Sequence, residues 1–334
     1  MANDRNLVVN GLDVSDLTEE YLGMTTSGGV NVWHKSMGGY RTFADAYNFV
    51  DDHPDDVAIV RSVDDMRRAA NESKIALLFG WQTANPISTG REGDNDWWGD
   101  PPMTNLRAYY ELGLRISGIA YQIANIFGGG AIDGHMGLSR AGRALVEEIH
   151  HLGIILDVGG HTGDQASFDA IEMSSGVPII CSHGAARAIA NNSRNLPDKL
   201  IEAIAKTGGV IGTPAINDFL VRGKEMAHLP ESPWGTVDNF LAHVEHVRDL
   251  VGPDHIGLGP DFTWRPGSSQ MRDRAIFGPE TMDEGPRRFV KGFENVSELP
   301  NVIRALEERE WPEEHIRKFL GGNWLRVYQQ VWGK

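Results

Sequence analysis

The stretch VPIICSHGAAR, Val177–Arg187, decides how the chain is read. An apolar run suited to a buried strand ends abruptly in Ser-His-Gly, so a histidine stands at the mouth of a core strand. Seven more runs rich in Val, Ile and Leu occur outward from it: NLVVNGLDV (6–14), GVNVW (29–33), KIALLFGW (74–81), RISGIAY (115–121), GIILDVGG (153–160), GVIGTPA (209–215) and DHIGLGPD (254–261). Helical patterns separate them. In SRAGRALVEEIHHLG, Ser139 is placed to cap and Gly153 to stop a helix. In TVDNFLAHVEHVRDLVG, Phe240, Val244, Val247 and Val251 recur at helical spacing behind a Thr-x-x-Asn start. Eight strand–helix alternations predict an α/β chain folded as one (β/α)8 TIM barrel of the metal-dependent hydrolase type, residues 1–334. An open doubly wound sheet would call for a glycine fingerprint after the first strand, and NGLDVSD is not one.

Composition narrows the function classes. Lys plus Arg is 31 against 46 Asp plus Glu, a net charge of −15, with no basic stripe, so nucleic acid is not an expected partner. The single cysteine, Cys181, excludes an internal disulfide and a Cys-rich zinc motif, and its apolar neighbours mark it as a small core residue. No leader-like start and no run of roughly 20 apolar residues is visible, so the expectation is a cytoplasmic enzyme or binding protein without a membrane partner. Two stretches break the rhythm, at about 84–103 with Trp97 and Trp98, and at about 262–295. Long loops of this kind form lids, binding walls or contacts between copies.

In such a barrel, side chains at the C-terminal ends of strands share one mouth. GIILDVGG runs into His161, VPIICS into His183, and DHIGLGP into Asp261. Two imidazoles and a carboxylate suit zinc or a similar divalent ion, bound as metal ligands. The other histidines carry less weight. His150 and His151 fall near a helix end, where the dipole accounts for them. His243 and His246 are expected on the solvated flank of an amphipathic helix, and His34, His53, His135, His228, His255 and His315 in structural or surface roles.

The blocks LSRAGRALVEEIHHLGIILDVGGH, VPIICSHGAARAIANNSRNLPDKLIEAIAKTGGVIG, VGPDHIGLGPDF and LPNVIRALEEREWPEEHIRKFLGGNWLRVYQQVW together resemble the membrane (renal) dipeptidase family of the amidohydrolase superfamily. The resemblance implies a (β/α)8 barrel whose two-zinc site hydrolyses small dipeptides with a metal-bridging hydroxide. It implies that His161 and His183 ligate one metal and Asp261 follows the last strand as ligand or general base. It also implies that Arg187 receives the substrate carboxylate and that Tyr121 faces the scissile group. Homodimers are common among members, so a second copy is an implied partner.

The chain departs from that pattern where the other metal would sit. Leu12 and Val14 replace the first-strand His-x-Asp, with Asp13 between them on the opposite face, and Gln82 replaces a bridging Glu. A neutral Gln82 cannot balance two dications less than about 4 Å apart. The expectation is therefore one divalent ion, zinc by preference, on His161 and His183 and completed by Asp261, or by Gln82 through its amide oxygen, with Gln82 and Arg187 toward a small carboxylate-bearing substrate. Three functions stay open: hydrolysis of an amide or dipeptide-like bond, a lyase or isomerase with Tyr121 or Asp261 moving a proton, or binding without turnover. In the second, Trp81, Trp97, Trp98 and Trp264 shape an apolar pocket.

Overall fold

The computed structural model describes residues 7–88, 103–221, 233–264 and 288–333. Among the described residues nine strands follow one another: β1 (Val9–Asp13), β2 (Val32–Ser36), β3 (Val57–Val60), β4 (Ile75–Trp81), β5 (Leu114–Ser117), β6 (Ile155–Leu156), β7 (Ile180–Cys181), β8 (Val210–Thr213) and β9 (Ile256–Leu258). All pair in parallel, in the order β1-β2-β4-β5-β6 with β3 beside β4, and β7-β8-β9. Isolated parallel bridges tie the two sheets together. Asp157 bridges Ile180 between β6 and β7, and Asp13 bridges Phe262 between β1 and the segment after β9.

Each of the eight apolar runs holds a strand, and β3 is an addition. Its sequence, VAIV, is as apolar as the others but is a bare four-residue run between charged flanks, with its middle pair half-exposed.

Alternation along the strands explains the curl. Val9, Val32, Ala76, Leu78, Ile116, Ile155, Ile180 and Val210 form one buried cluster with Trp324, Leu325, Val327 and Tyr328 of the last helix, Asn323–Trp332. Their neighbours in sequence, among them Trp33, Leu77, Phe79, Leu156, Cys181 and Ile211, join a second cluster with Phe43, Leu145, Ile149, Leu200 and Phe240 from the flanking helices. A period of two thus gives every strand an inner face and a helix-covered outer face. Glycines let the chain close up between β7 and its neighbours: a Cβ on Gly212 or Gly259 would lie 2.1 or 1.9 Å from the Ser182 carbonyl oxygen.

The helix signals hold at both ends. Ser139 accepts the Gly142 amide at 3.0 Å, and Gly153 stops the helix Arg140–Leu152 at φ 71°. Thr236 and Asn239 form a capping box at the start of the helix Val237–Val251. On that helix His243 is not solvated but fully buried, its Nδ1 accepting the Ala186 amide at 3.0 Å and its Nε2 3.1 Å from the Leu220 carbonyl. It anchors the segment after His183, which an amphipathic pattern cannot reveal because a ring that satisfies both nitrogens counts as polar in sequence. Trp81 points outward into the helix layer, edge-on to Tyr109, and donates to the Gly38 carbonyl at 2.9 Å, so it is a core residue.

Of the two long loops, 89–102 with Trp97 and Trp98, and 265–287, lie outside the described residues, as does His228. Among the described residues, no helix is long and apolar enough to cross a membrane.

Candidate functional site

Where β6 ends, Val158 is followed by Gly159 and Gly160, both left-handed at φ 75° and 58°. The second has a reason to be glycine: its Cβ would lie 2.8 Å from the His183 carbonyl oxygen and from Arg194 Nη1. These two turns accommodate the apparent extra residue of the DVGGH motif and deliver His161 beside His183, with ring centroids 4.8 Å apart. Tyr121 stacks on His161 at 3.8 Å. Gln82, one residue past β4, places Oε1 2.7 Å from His161 Nε2, and its amide nitrogen donates to Ser36 Oγ at 2.8 Å.

Four of the residues named from sequence therefore meet: Gln82, Tyr121, His161 and His183. Arg187 does not join them. Its guanidinium holds Asp164 through two bonds, at 2.6 and 2.9 Å, and the Asn195 carbonyl at 2.8 Å. The arginine that enters the cluster is Arg194, seven residues on, in the Arg-Asn-Leu-x-Asp block. It is buried, its Nη2 lies 3.3 Å from His161 Nε2, and its charge sits 4.9 Å over the Phe219 ring. Its Nε and Nη1 are buried without partners. Burial pulls the Arg194 pKa below its ordinary value, and Asp261 opposes this most strongly among its neighbours.

Asp261 is buried and stands in the left-handed region at φ 59°, costly for a residue with a Cβ. Its amide donates to the Leu12 carbonyl at 3.1 Å, so it sits where β9 meets β1. Among the described residues, no three His, Cys, Asp or Glu side chains gather as a metal-binding group. Among the described residues, the expected trio of His161, His183 and Asp261 is thus not assembled as one donor set.

His34 belongs to this region and was assigned elsewhere from sequence. It lies on β2 two residues after inward-facing Val32, and it is fully buried with Nδ1 2.5 Å from the Gly11 carbonyl and Nε2 without a partner. Ending the predicted strand at Trp33 hid it; one more step of the period of two places it inside. Burial holds the His34 pKa down to about 4. His161 and His183 are also held well below the ordinary imidazole value, first by burial and then by the Arg194 charge. All three rings are neutral at neutral pH, with lone pairs available.

Leu12 is fully buried and belongs to neither apolar cluster. Asp13, at a register shift in β1, is taken up by its own surroundings, accepting from Tyr21 Oη at 2.5 Å, Asn10 Nδ2 at 2.8 Å and the Ser15 amide at 2.8 Å. Burial raises its carboxyl to about 6 despite these bonds. Between about pH 4 and 6 the folded chain keeps a proton that the unfolded chain releases, so this group's contribution to stability falls as pH rises through that window. Asp13→Asn removes the effect. In urea unfolding, the stability of the parent relative to the variant is expected to drop by about 2 kcal/mol from pH 4 to pH 6.5; a difference independent of pH would contradict the assignment.

The family model described as membrane dipeptidase (Peptidase family M19) matches residues 41–274 and 281–332. Dipeptidase tcpJ of Claviceps purpurea is 28% identical over 282 residues, 84% of this chain and 56% of that protein. Dipeptidase 3 of Mus musculus is 27% identical over 283 residues, 83% of this chain and 48% of that protein. The chain spans about half the length of the curated relatives it matches. Among solved structures, an amidohydrolase from Pseudomonas aeruginosa superposes with a TM-score of 0.84 at 27% identity, covering 99% of this chain and 98% of that one. A metallo peptidase from Rhodobacter sphaeroides, liganded with a phosphinate mimic of the dipeptide L-Ala-D-Ala, has the same fold, with a TM-score of 0.75 at 19% identity over 98% of this chain and 99% of that one.

Proposed function

We propose that this chain, which belongs to the membrane dipeptidase family (Peptidase family M19), is a metal-dependent hydrolase of dipeptide-like amides that bear a free carboxylate. Its two sheets, tied at both seams, are read as one (β/α)8 barrel in a single domain, with the site at its mouth. The observation that carries the reading is the pairing of two neutral, buried imidazoles with a buried guanidinium whose Nε and Nη1 lack partners.

The donor set fits one ion and not two. His183 Nε2 is buried without a partner, and the 2.7 Å between His161 Nε2 and Gln82 Oε1 places two donors around a proton that a cation can replace. With Leu12, Val14 and Gln82 at the positions of charged ligands, Asp261 is the one carboxylate assigned to this site, too little charge for two dications. His183, His161 and Gln82 would hold the ion. When bound, it supplies a water of lowered pKa and polarises the scissile carbonyl. Arg194 Nη2 lies 3.3 Å from the His161 nitrogen that the ion would occupy and would be repelled by it, so its role is to receive the substrate carboxylate, and Asp261 is the base available to take a proton. Tyr121, stacked on His161, walls the scissile bond.

The dipeptidase relatives support hydrolysis over the proton-transfer and binding-only readings. The test is release of free amino acid from a panel of dipeptides, with either hand at the carboxyl-terminal residue. Chelator-stripped protein should be inert and recover with zinc; a chain inert toward the whole panel with zinc and with manganese would overturn the reading.

A further inference from the structure

Behind His183 runs a buried chain of hydrogen bonds that the reaction above does not use. Asp157 follows β6 by one residue, on the inner face set by Ile155. Its Oδ1 accepts the Ser182 amide at 2.8 Å and its Oδ2 accepts the Ser182 hydroxyl at 2.5 Å. Ser182 Oγ lies 2.7 Å from His183 Nδ1. All three residues are at most 6% exposed. The direction of each bond follows from donor counting. Above about pH 7 the Asp157 carboxyl is ionised and only accepts, so the single Ser182 proton is committed to Asp157, and Ser182 Oγ is left as an acceptor for a proton on His183 Nδ1. Neutral imidazole carries one N–H. Its Nε2, buried and without a hydrogen-bond partner, must then bear the lone pair.

We propose that Asp157 and Ser182 are positioning residues that fix His183 in its Nδ1–H tautomer and aim a bare Nε2 into the site. The inference rests on His183 being the metal-side imidazole of the hydrolase reading, but the tautomer is set by the protein alone. The relay also crosses the seam between the sheets, where the Asp157–Ile180 bridge and the Val158 amide on the Ile180 carbonyl at 2.8 Å join β6 to β7. One carboxylate therefore fixes both the seam and the ring.

Asp157→Asn tests this with almost no change of shape. Asparagine can accept the Ser182 amide through Oδ1 while its Nδ2 donates to Ser182 Oγ, which turns the serine proton toward His183 Nδ1 and moves the ring proton to Nε2. The readout is long-range proton–nitrogen correlation of the imidazoles in metal-free full-length protein at about pH 8.5, above the value near 7 to which burial raises the Asp157 carboxyl. His183→Gln identifies the resonance. The parent is expected as Nδ1–H, Asp157→Asn as Nε2–H, and Ser182→Ala as a mixture. Zinc binding by both variants should weaken by about 10- to 100-fold. A parent ring in the Nε2–H form, or an unchanged tautomer in folded Asp157→Asn, would overturn the proposal. A parent with the expected tautomer and no amide hydrolysis would overturn the hydrolase reading and leave the relay standing.

Discussion

Arg194→Met is expected to cut kcat/KM on a dipeptide about 100-fold, with most of the loss in KM, and at the same time to tighten zinc binding. The first effect is the loss of a charge-assisted contact to the substrate carboxylate, worth about 2–3 kcal/mol. The second follows from the 3.3 Å between Arg194 Nη2 and His161 Nε2, since a guanidinium and a divalent cation so close repel each other. Methionine has nearly the same length, but losing the cation leaves buried Asp261 without its opposing charge, so the melting temperature should fall and the kinetics are read on protein shown to be folded. Steady-state kinetics with zinc titration on folded variant checks both. A fall confined to kcat with zinc affinity unaltered would place Arg194 outside substrate binding.

His183→Ala should remove at least about 1,000-fold of the activity and most of the zinc affinity. Nε2 of His183 is the one imidazole donor of the proposed set with no bond to break before it can ligate, and losing it forfeits several kcal/mol of charge stabilisation. The change also leaves Ser182 Oγ without its ring partner. His183→Gln, which fills the volume, separates a folding defect from a chemical one. A similar loss in both, with an unchanged melting temperature, assigns the effect to the imidazole; activity retained in either contradicts it.

How much of this was legible in sequence differs from residue to residue. His161 and His183 could be found because each ends an apolar run, and strand ends share one mouth whatever the details of the loops. His34 could not while β2 was ended at Trp33, since a single misplaced boundary hides an inward position. Arg194 and Arg187 are both arginines in the same motif-rich segment, and only three-dimensional placement shows that Asp164 occupies one and His161 meets the other. The position of Asp261 was foreseen but not its company, because a left-handed backbone residue takes its direction from the turn and not from the strand period. β3 was missed although VAIV is wholly apolar, because four residues between charged flanks are too short a run to stand out as a strand, and buried His243 because burial with both nitrogens satisfied leaves no trace in an amphipathic pattern.

The central claim is a single ion between His161 and His183, and the most direct measurement is elemental analysis of protein equilibrated with zinc and dialysed. About one zinc per chain in the parent, and much less in His183→Ala, is the expected result. Two per chain, or none bound while amide hydrolysis persists, would contradict it.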